Sequence, residues 1–269
     1  MNTICFGQQP NGFFPKRFLV AKINTARALQ KDIGGKIVFF YHDSDADYRE
    51  TITIMRDKTK NEEVRLNFTQ ENKLQKKHSP LYTKRNPDGW KQEILKQLPR
   101  FLEKPLIDLF ASVNENTVAD FCLKMYQNLH RLIRTNKPME TKGFLDGIEI
   151  IRSSDKTFRQ QACDIKDGFA DVEYQGEIVR AKIEADKLSL HEGGGVYTYI
   201  DKPAKISKAQ ISPGADERFK WMNSVINCTH YIYGEGEKDY LKFADFPEVK
   251  FIQRDAIENP NFAWVPINN

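Results

Sequence analysis

The chain has 269 residues, of which 40% are hydrophobic and 12% aromatic, enough to build a sizeable core in one large domain or two small ones. Its 41 basic residues exceed the 37 acidic ones by only four, a balance that permits an anionic small-molecule substrate and gives no argument for nucleic acid. No apolar run approaches the roughly 18 residues that a membrane helix requires, and mean hydropathy is -0.61.

The N-terminus, MNTICFGQQPNG, lacks the basic start and apolar stretch of an export signal. Cys5, Cys122, Cys163 and Cys228 are far apart and form no CxxC pair, so reduced thiols are expected rather than disulfides or a zinc site. The expected setting is cytoplasmic, with no membrane and no nucleic acid as partner.

In chain order, Thr3–Phe6 reads as a short strand, Gly7 to Gly12 as a turn, and Lys16 to Ile33 as a helix opened by Pro15. Gly34-Gly35 ends that helix, and Lys36 to Tyr41 is a continuous apolar strand of the kind buried on both faces. Strand, helix and strand within forty residues predict a βαβ unit with a parallel pair. Thr51–Asp57 and Val64–Thr69 alternate with period two and predict a hairpin around Lys58 to Glu63. Lys73 to Lys77, continuing through Lys84 and Arg85, reads as a solvated basic loop.

Pro87 to Val113 and Asn116 to Asn136 are helical stretches, the first interrupted by Pro99 and Pro105; His130 in the second is expected to be structural. Strand patterns follow at Ile148–Ile151, Ala170–Tyr174, Ile178–Ile183 and Val196–Ile200, with Gly193 to Gly195 a turn between strands. A helix near Asp216–Val225, a strand at Thr229–Tyr233, a helix at Glu237–Phe243 and a strand at Val249–Gln253 complete the chain. The predicted fold is α/β, a Rossmann-like, mostly parallel sheet with a helical and β-rich insertion in the middle of the chain. Residues 1–57 open the core, 58–204 form the insertion, and 205–269 return to the core.

Three constellations carry the functional signal. In the first, Gly7, Gln8, Gln9 and Gly12 lie between a strand and a helix, where free amides and the positive helix end attract phosphate or carboxylate, with Lys16 beside them; an ordinary βα turn is the alternative. Lys22 shares the core-directed face of that helix, so it must snorkel, pair with a carboxylate or serve a bound anion. In the second, His42, Asp45 and Asp47 follow the second strand, placed to bind a metal or to orient a substrate amine or hydroxyl; a solvated acidic turn is the alternative. An EF-hand is excluded, because Tyr48 and Ile54 stand at the sixth and twelfth loop positions. In the third, Ser212 and Arg218 precede a strand that ends in Gly234 and Glu237, and Arg254 closes the next one. Arg218 and Arg254 suit a carboxylate or phosphate. His230 adjoins this group.

Taken in order, these pieces resemble the cysteine-adding enzymes of bacillithiol synthesis (the BshC family). Gly7-Gln8-Gln9, Gly12, Pro15 and Lys22 are similar to the strand, turn and lysine-bearing helix that open that family. Ser44-Asp45-Ala46-Asp47 occupies the place of its acidic run, with Ala46 where the family has histidine. Ser212-Pro213, Arg218, Gly234 to Glu237 and Gln253-Arg254 match its late elements, with Glu235 where the family has proline. The resemblance covers about residues 3–50 and 205–257. It implies a core similar to the nucleotidyltransferase-like Rossmann superfamily, whose HxGH signature is not present here.

The expected function is a nucleotide-dependent, ligase-like enzyme joining an amine such as an amino acid to a small anionic acceptor, using ATP or another nucleotide and Mg2+. The alternatives are a nucleotidyltransferase acting on a phosphorylated alcohol and a non-catalytic small-molecule-binding protein. Asp45, Asp47 and His42 are the catalytic candidates; Gly7, Gln8, Gln9, Gly12, Lys16, Lys22, Ser212, Arg218, Gly234, Glu237 and Arg254 are the ligand-binding ones. No residue is assigned to a metal. Lys22→Ala is expected to abolish ligand binding and leave the fold intact. Homodimerisation is left open, the chain having no heptad-patterned tail of the kind the family uses to dimerise.

Overall fold

The computed structural model describes residues 1–56, 62–70, 72–100, 102–129 and 143–265. Strand β1 (Thr3–Gln8), helix α1 (Arg17–Ile33) and strand β2 (Lys36–Tyr41) form the βαβ unit, with β1 and β2 parallel. The apolar run of β2 is continuous because both faces are covered. Ile37, Phe39 and Tyr41 join the core that contains Leu19 and Ile23 of α1, while Val38 and Phe40 join Phe158, Trp221 and Met222 on the other face.

Strand β3 (Thr53–Arg56) pairs antiparallel with β4 (Glu63–Leu66) as the expected hairpin; its turn at 57–61 lies outside the described residues. Four helices follow: α2 (Lys73–Lys77), α3 (Trp90–Gln97), α4 (Lys104–Ser112) and α5 (Val118–Asn128). Pro105 sits in the first turn of α4, where its missing N–H costs nothing. Phe13, Phe68, Trp90, Phe110 and Phe121 pack edge to face or tilted and fasten these helices to the loop after β1. His130 and the predicted helix beyond it lie outside the described residues.

The basic stretch after β4 is not a solvated loop. Lys73–Lys77 is helical, and Lys84 is buried, its Nζ donating to the carbonyls of Ala46 at 3.1 Å and Lys76 at 3.0 Å. Burial pulls the Lys84 pKa down to about 8, against the attraction of Asp47 and Asp45. A charge count along the chain misses this, because Lys84 anchors a loop some forty residues earlier.

Strand β5 (Ile148–Arg152) falls within 58–204 yet pairs parallel with β2, forming an edge of the core sheet, and is followed by α6 (Lys156–Gln161). β6 (Gly168–Tyr174), β7 (Glu177–Ile183), β8 (Lys187–Gly193), β9 (Val196–Asp201) and β10 (Ile211–Pro213) make an antiparallel sheet ordered β10-β6-β7-β8-β9. Helix α7 (Ala215–Ile226) then leads to β11 (His230–Tyr233) and β12 (Lys250–Gln253), which complete the core sheet β5-β2-β1-β11-β12, parallel throughout. The helix predicted at Glu237–Phe243 is two short 3-10 turns, Glu235–Glu237 and Phe243–Asp245. Among the described residues no helix is long and apolar enough to cross a membrane.

Candidate functional site

Read in chain order, the core strands lie third, second, first, fourth, fifth across the sheet. The order reverses between β1 and β11. Helix α1 packs into the core on one face, while α7 supplies Phe219, Trp221 and Met222 to the other. The crossovers therefore part at this point and leave a crevice at the carboxyl ends of the two strands, where open α/β sheets bind ligands.

A cavity of about 600 Å³ occupies that crevice. Gly7, Gln8 and Gln9 reach it from β1, His42 and Asp45 from the loop after β2, and Gly234 and Glu237 from the turn after β11. Lys22 of α1, Arg218 of α7 and Arg254 after β12 complete the predicted residues that line it. Gln8, Asp45 and Gly234, far apart in sequence, thus share one wall-to-wall space.

Lys22 resolves its three sequence alternatives in favour of pairing. Only 2% exposed, it donates to the Gly7 carbonyl at 2.8 Å and forms a short ion pair with Glu237. Glu237 also accepts from the Tyr231 hydroxyl at 3.0 Å and from the Gly234 amide at 2.7 Å. The carboxylate thereby ties β11 and its turn to α1. This commitment is the physical reason that the chain at Glu237 turns back in 3-10 form instead of starting an α-helix. The turn brings Gly234 close to both side chains: a Cβ there would stand 3.4 Å from Glu237 Oε2 and 3.5 Å from Arg254 Nε, in ordinary contact.

Asp45 holds the opposite wall. Its Oδ2 accepts from Arg218 at 3.0 Å and Gln9 at 3.2 Å, and its Oδ1 from the Ala46 amide at 2.7 Å. Burial pushes the Asp45 carboxyl up, but the charges of Arg218 and Arg180 and the hydrogen bond from Gln9 more than offset this and hold it well below the usual carboxylate range. His42 is 2% exposed, and neither ring nitrogen has a hydrogen-bond partner. Burial, then the charges of Arg218, Arg180 and Arg159, depress its pKa well below 6.5 against the pull of Asp45, so the ring is neutral at pH 7. His42 thus borders the cavity as a buried imidazole whose two nitrogens have no protein partner.

The donors left over point the same way. Arg218 Nε and Arg254 Nε are buried without partners. The first residue of α7, Ala215, lines the cavity, and the helix has no side-chain cap. Its start therefore borders the space beside Arg218, with Asp216 and Glu217 in the first turn offsetting the positive end.

Four predicted residues fall elsewhere. Asp47, a catalytic candidate, is bound by Arg49 through contacts of 2.9, 3.2 and 2.7 Å and does not line the cavity. Gly12 serves packing: at φ +117° its position for a Cβ is 2.6 Å from Thr53 Oγ1. Lys16 is buried at the start of α1, 3.9 Å from Glu50. Ser212 is buried beneath α7 and accepts from Arg180 Nε at 3.2 Å.

The positive end of α1 is likewise not open to an anion. The Arg17 amide donates to the Phe262 carbonyl at 2.9 Å and the Phe18 amide to Pro260 at 3.1 Å. Trp264 N bonds Pro15 O at 2.7 Å, so a C-terminal strap covers the helix end that sequence assigned to phosphate. His230, at the amino end of β11, bonds Thr229 and pairs with Ile4, so it lies at the far end of the sheet.

Among the cavity residues that carried no sequence signal, Glu50 has its carboxyl pushed up by burial, and Phe219, Met222 and Tyr240 add aromatic and apolar wall. The acidic loop does not fit a divalent cation, since both oxygens of Asp45 are already taken by protein donors and Asp47 is held by Arg49. Among the described residues no group of three His, Cys, Asp or Glu side chains could hold a metal.

The fold and cavity define a class: an α/β protein with a Rossmann-like parallel sheet and a polar crevice at its switch point. Searched against known protein families and against curated proteins, the chain matches neither.

Proposed function

We propose that the protein is a nucleotide-dependent, ligase-like enzyme that joins an amine to a small anionic acceptor at the β1/β11 crevice, similar in chemistry to the BshC family. The observation that carries this reading is His42: neutral, buried, and without a partner on either nitrogen at a cavity whose remaining free donors are two arginines. Arg254 and Arg218 would take the anionic groups. A nucleotide transfers a phosphoryl or nucleotidyl group to the acceptor carboxylate. The amine then attacks that carbonyl, the phosphate or nucleotide leaves with the electrons of the broken C–O bond, and His42 accepts the amine proton. Asp45 keeps Arg218 oriented. Holding both reactants in one crevice is itself a large source of rate. A cytoplasmic setting accords with four unpaired cysteines.

Phosphate and pyrophosphate release is the test, run with ATP, CTP, GTP and UTP, each with and without cysteine and a dicarboxylate acceptor. Release that needs both amine and acceptor is the expected result. Release with a phosphorylated alcohol and no amine would instead mark nucleotidyl transfer. No turnover, with nucleotide still raising the melting temperature, would mark a binding protein and sink the ligase reading.

A further inference from the structure

We propose that Arg180 of β7, in the antiparallel sheet, is a positioning residue for the crevice: it braces the lead-in to α7 and adds a buried cation behind the segment that carries Arg218 into the site.

The inference deepens the functional reading, since it concerns the same crevice. Arg180 Nε donates to Ser212 Oγ at 3.2 Å and its NH2 group to the Pro213 carbonyl at 2.6 Å. Ser212 and Pro213 are buried and run directly into Gly214, the residue before α7, so the arginine fork fixes where the start of α7 and Arg218 face. Below the fork, the guanidinium stacks 3.8 Å over the Phe169 ring. Among the described residues Arg180 makes no ion pair, whereas its neighbour Arg159 is paired with Asp171 at 2.6 Å and Arg218 with Asp45 at 3.0 Å. A guanidinium held largely out of water is costly unless hydrogen bonds and nearby charge offset it, and here Ser212, Pro213, the Phe169 ring and the attraction of Asp45 and Asp171 do so.

The field of Arg180 reaches the crevice. Arg180 acts on Asp45 to favour the carboxylate and on His42 to favour the neutral ring. The other charges facing His42 are Arg218 on α7, Arg159 on α6 and Asp45 on its own loop. Two of those cations carry their own carboxylates, so Arg180 supplies the excess positive charge at the buried end of the site. The antiparallel sheet is then more than an appended layer: β10 delivers Ser212–Pro213, and β7 supplies the side chain that holds them.

The test compares wild type, Arg180→Lys and Arg180→Gln by histidine-ring nitrogen NMR across pH, without ligand. Loss of the His42→Gln signal assigns the resonance. In Arg180→Gln the His42 titration should move upward, toward the ordinary imidazole range. In Arg180→Lys, which keeps the charge and loses the fork, it should stay close to wild type while amide exchange at Gly214 to Glu217 quickens at least tenfold. A purely structural role would loosen those amides equally in both variants and leave His42 unmoved, and that result overturns the proposal. If Arg180→Gln fails to fold, Arg180→Lys decides alone: unchanged exchange at Gly214 to Glu217 overturns it. Because no nucleotide is present, failure here is distinct from failure of the ligase assay.

Discussion

Lys22 offers the sharpest quantitative test, because its buried pair with Glu237 predicts a stability cost where sequence alone expects an intact fold. Replacing it with alanine or methionine leaves Glu237 in the crevice wall with only the Tyr231 hydroxyl and the Gly234 amide. Breaking one partner of a buried ion pair costs about 3–5 kcal/mol. Because those two donors remain, the lower end, about 3 kcal/mol, applies, and a chain of this size converts that to a fall in Tm of roughly 6–12 °C. Removing both charges in Lys22→Met/Glu237→Gln should regain most of the loss, since no uncompensated charge stays buried. Scanning fluorimetry and urea denaturation measure both variants. A single variant melting within about 2 °C of wild type, or a double variant no better than the single, would refute the reasoning.

Gly12→Ala should destabilise by about 1–3 kcal/mol in urea denaturation, since it forces a side chain into a left-handed backbone position and against Thr53. His42 is neutral in the folded state and its pKa is depressed, so the unfolded chain binds the extra proton first as pH falls below about 6.5. Wild-type stability should therefore decline from pH 6.5 toward acid, and His42→Gln should flatten that part of the profile of unfolding free energy against pH. Asp45 behaves as a depressed carboxyl: its contribution is full above about pH 4 and is lost below, and Asp45→Asn removes it. In calorimetry with ATP, Asp45→Asn should weaken binding by about tenfold or more through Arg218, whereas Asp47→Asn, which disturbs only an exposed pair with Arg49, should leave affinity unchanged.

The parts of the fold that could be read from sequence are those whose cause is local. The run Ile37 to Tyr41, the helical spacing from Phe18 to Ile33 and the glycines at 34 and 35 each specify their own conformation, and together they give the βαβ unit. Ten of the fourteen predicted site residues line one cavity, eight of them for a related reason: they sit at or just beyond strand ends, and a parallel sheet gathers its strand ends on one edge, while Lys22 and Arg218 reach it from α1 and α7. What could not be read depends on pairings between distant positions. Glu237 meets Lys22 across 215 residues, and that contact, not local propensity, decides the turn after β11. Pro260 and Phe262 cap α1 through main-chain carbonyls, which carry no residue-type signal. Arg180 sits in a strand whose alternation reveals a face but not what the face meets. β5 looked like part of the insertion because an edge strand's partner is chosen by packing and not by its own pattern.

The account rests on the crevice at β1 and β11 receiving a small anionic ligand against His42. Titrating the histidine-ring nitrogen spectrum with ATP at pH 7 tests this most directly, since His78, His191 and His230 serve as internal controls away from the cavity. The account predicts saturable movement of the His42 signals alone. Saturating nucleotide that leaves His42 in place, or that moves the other histidines instead, would contradict it.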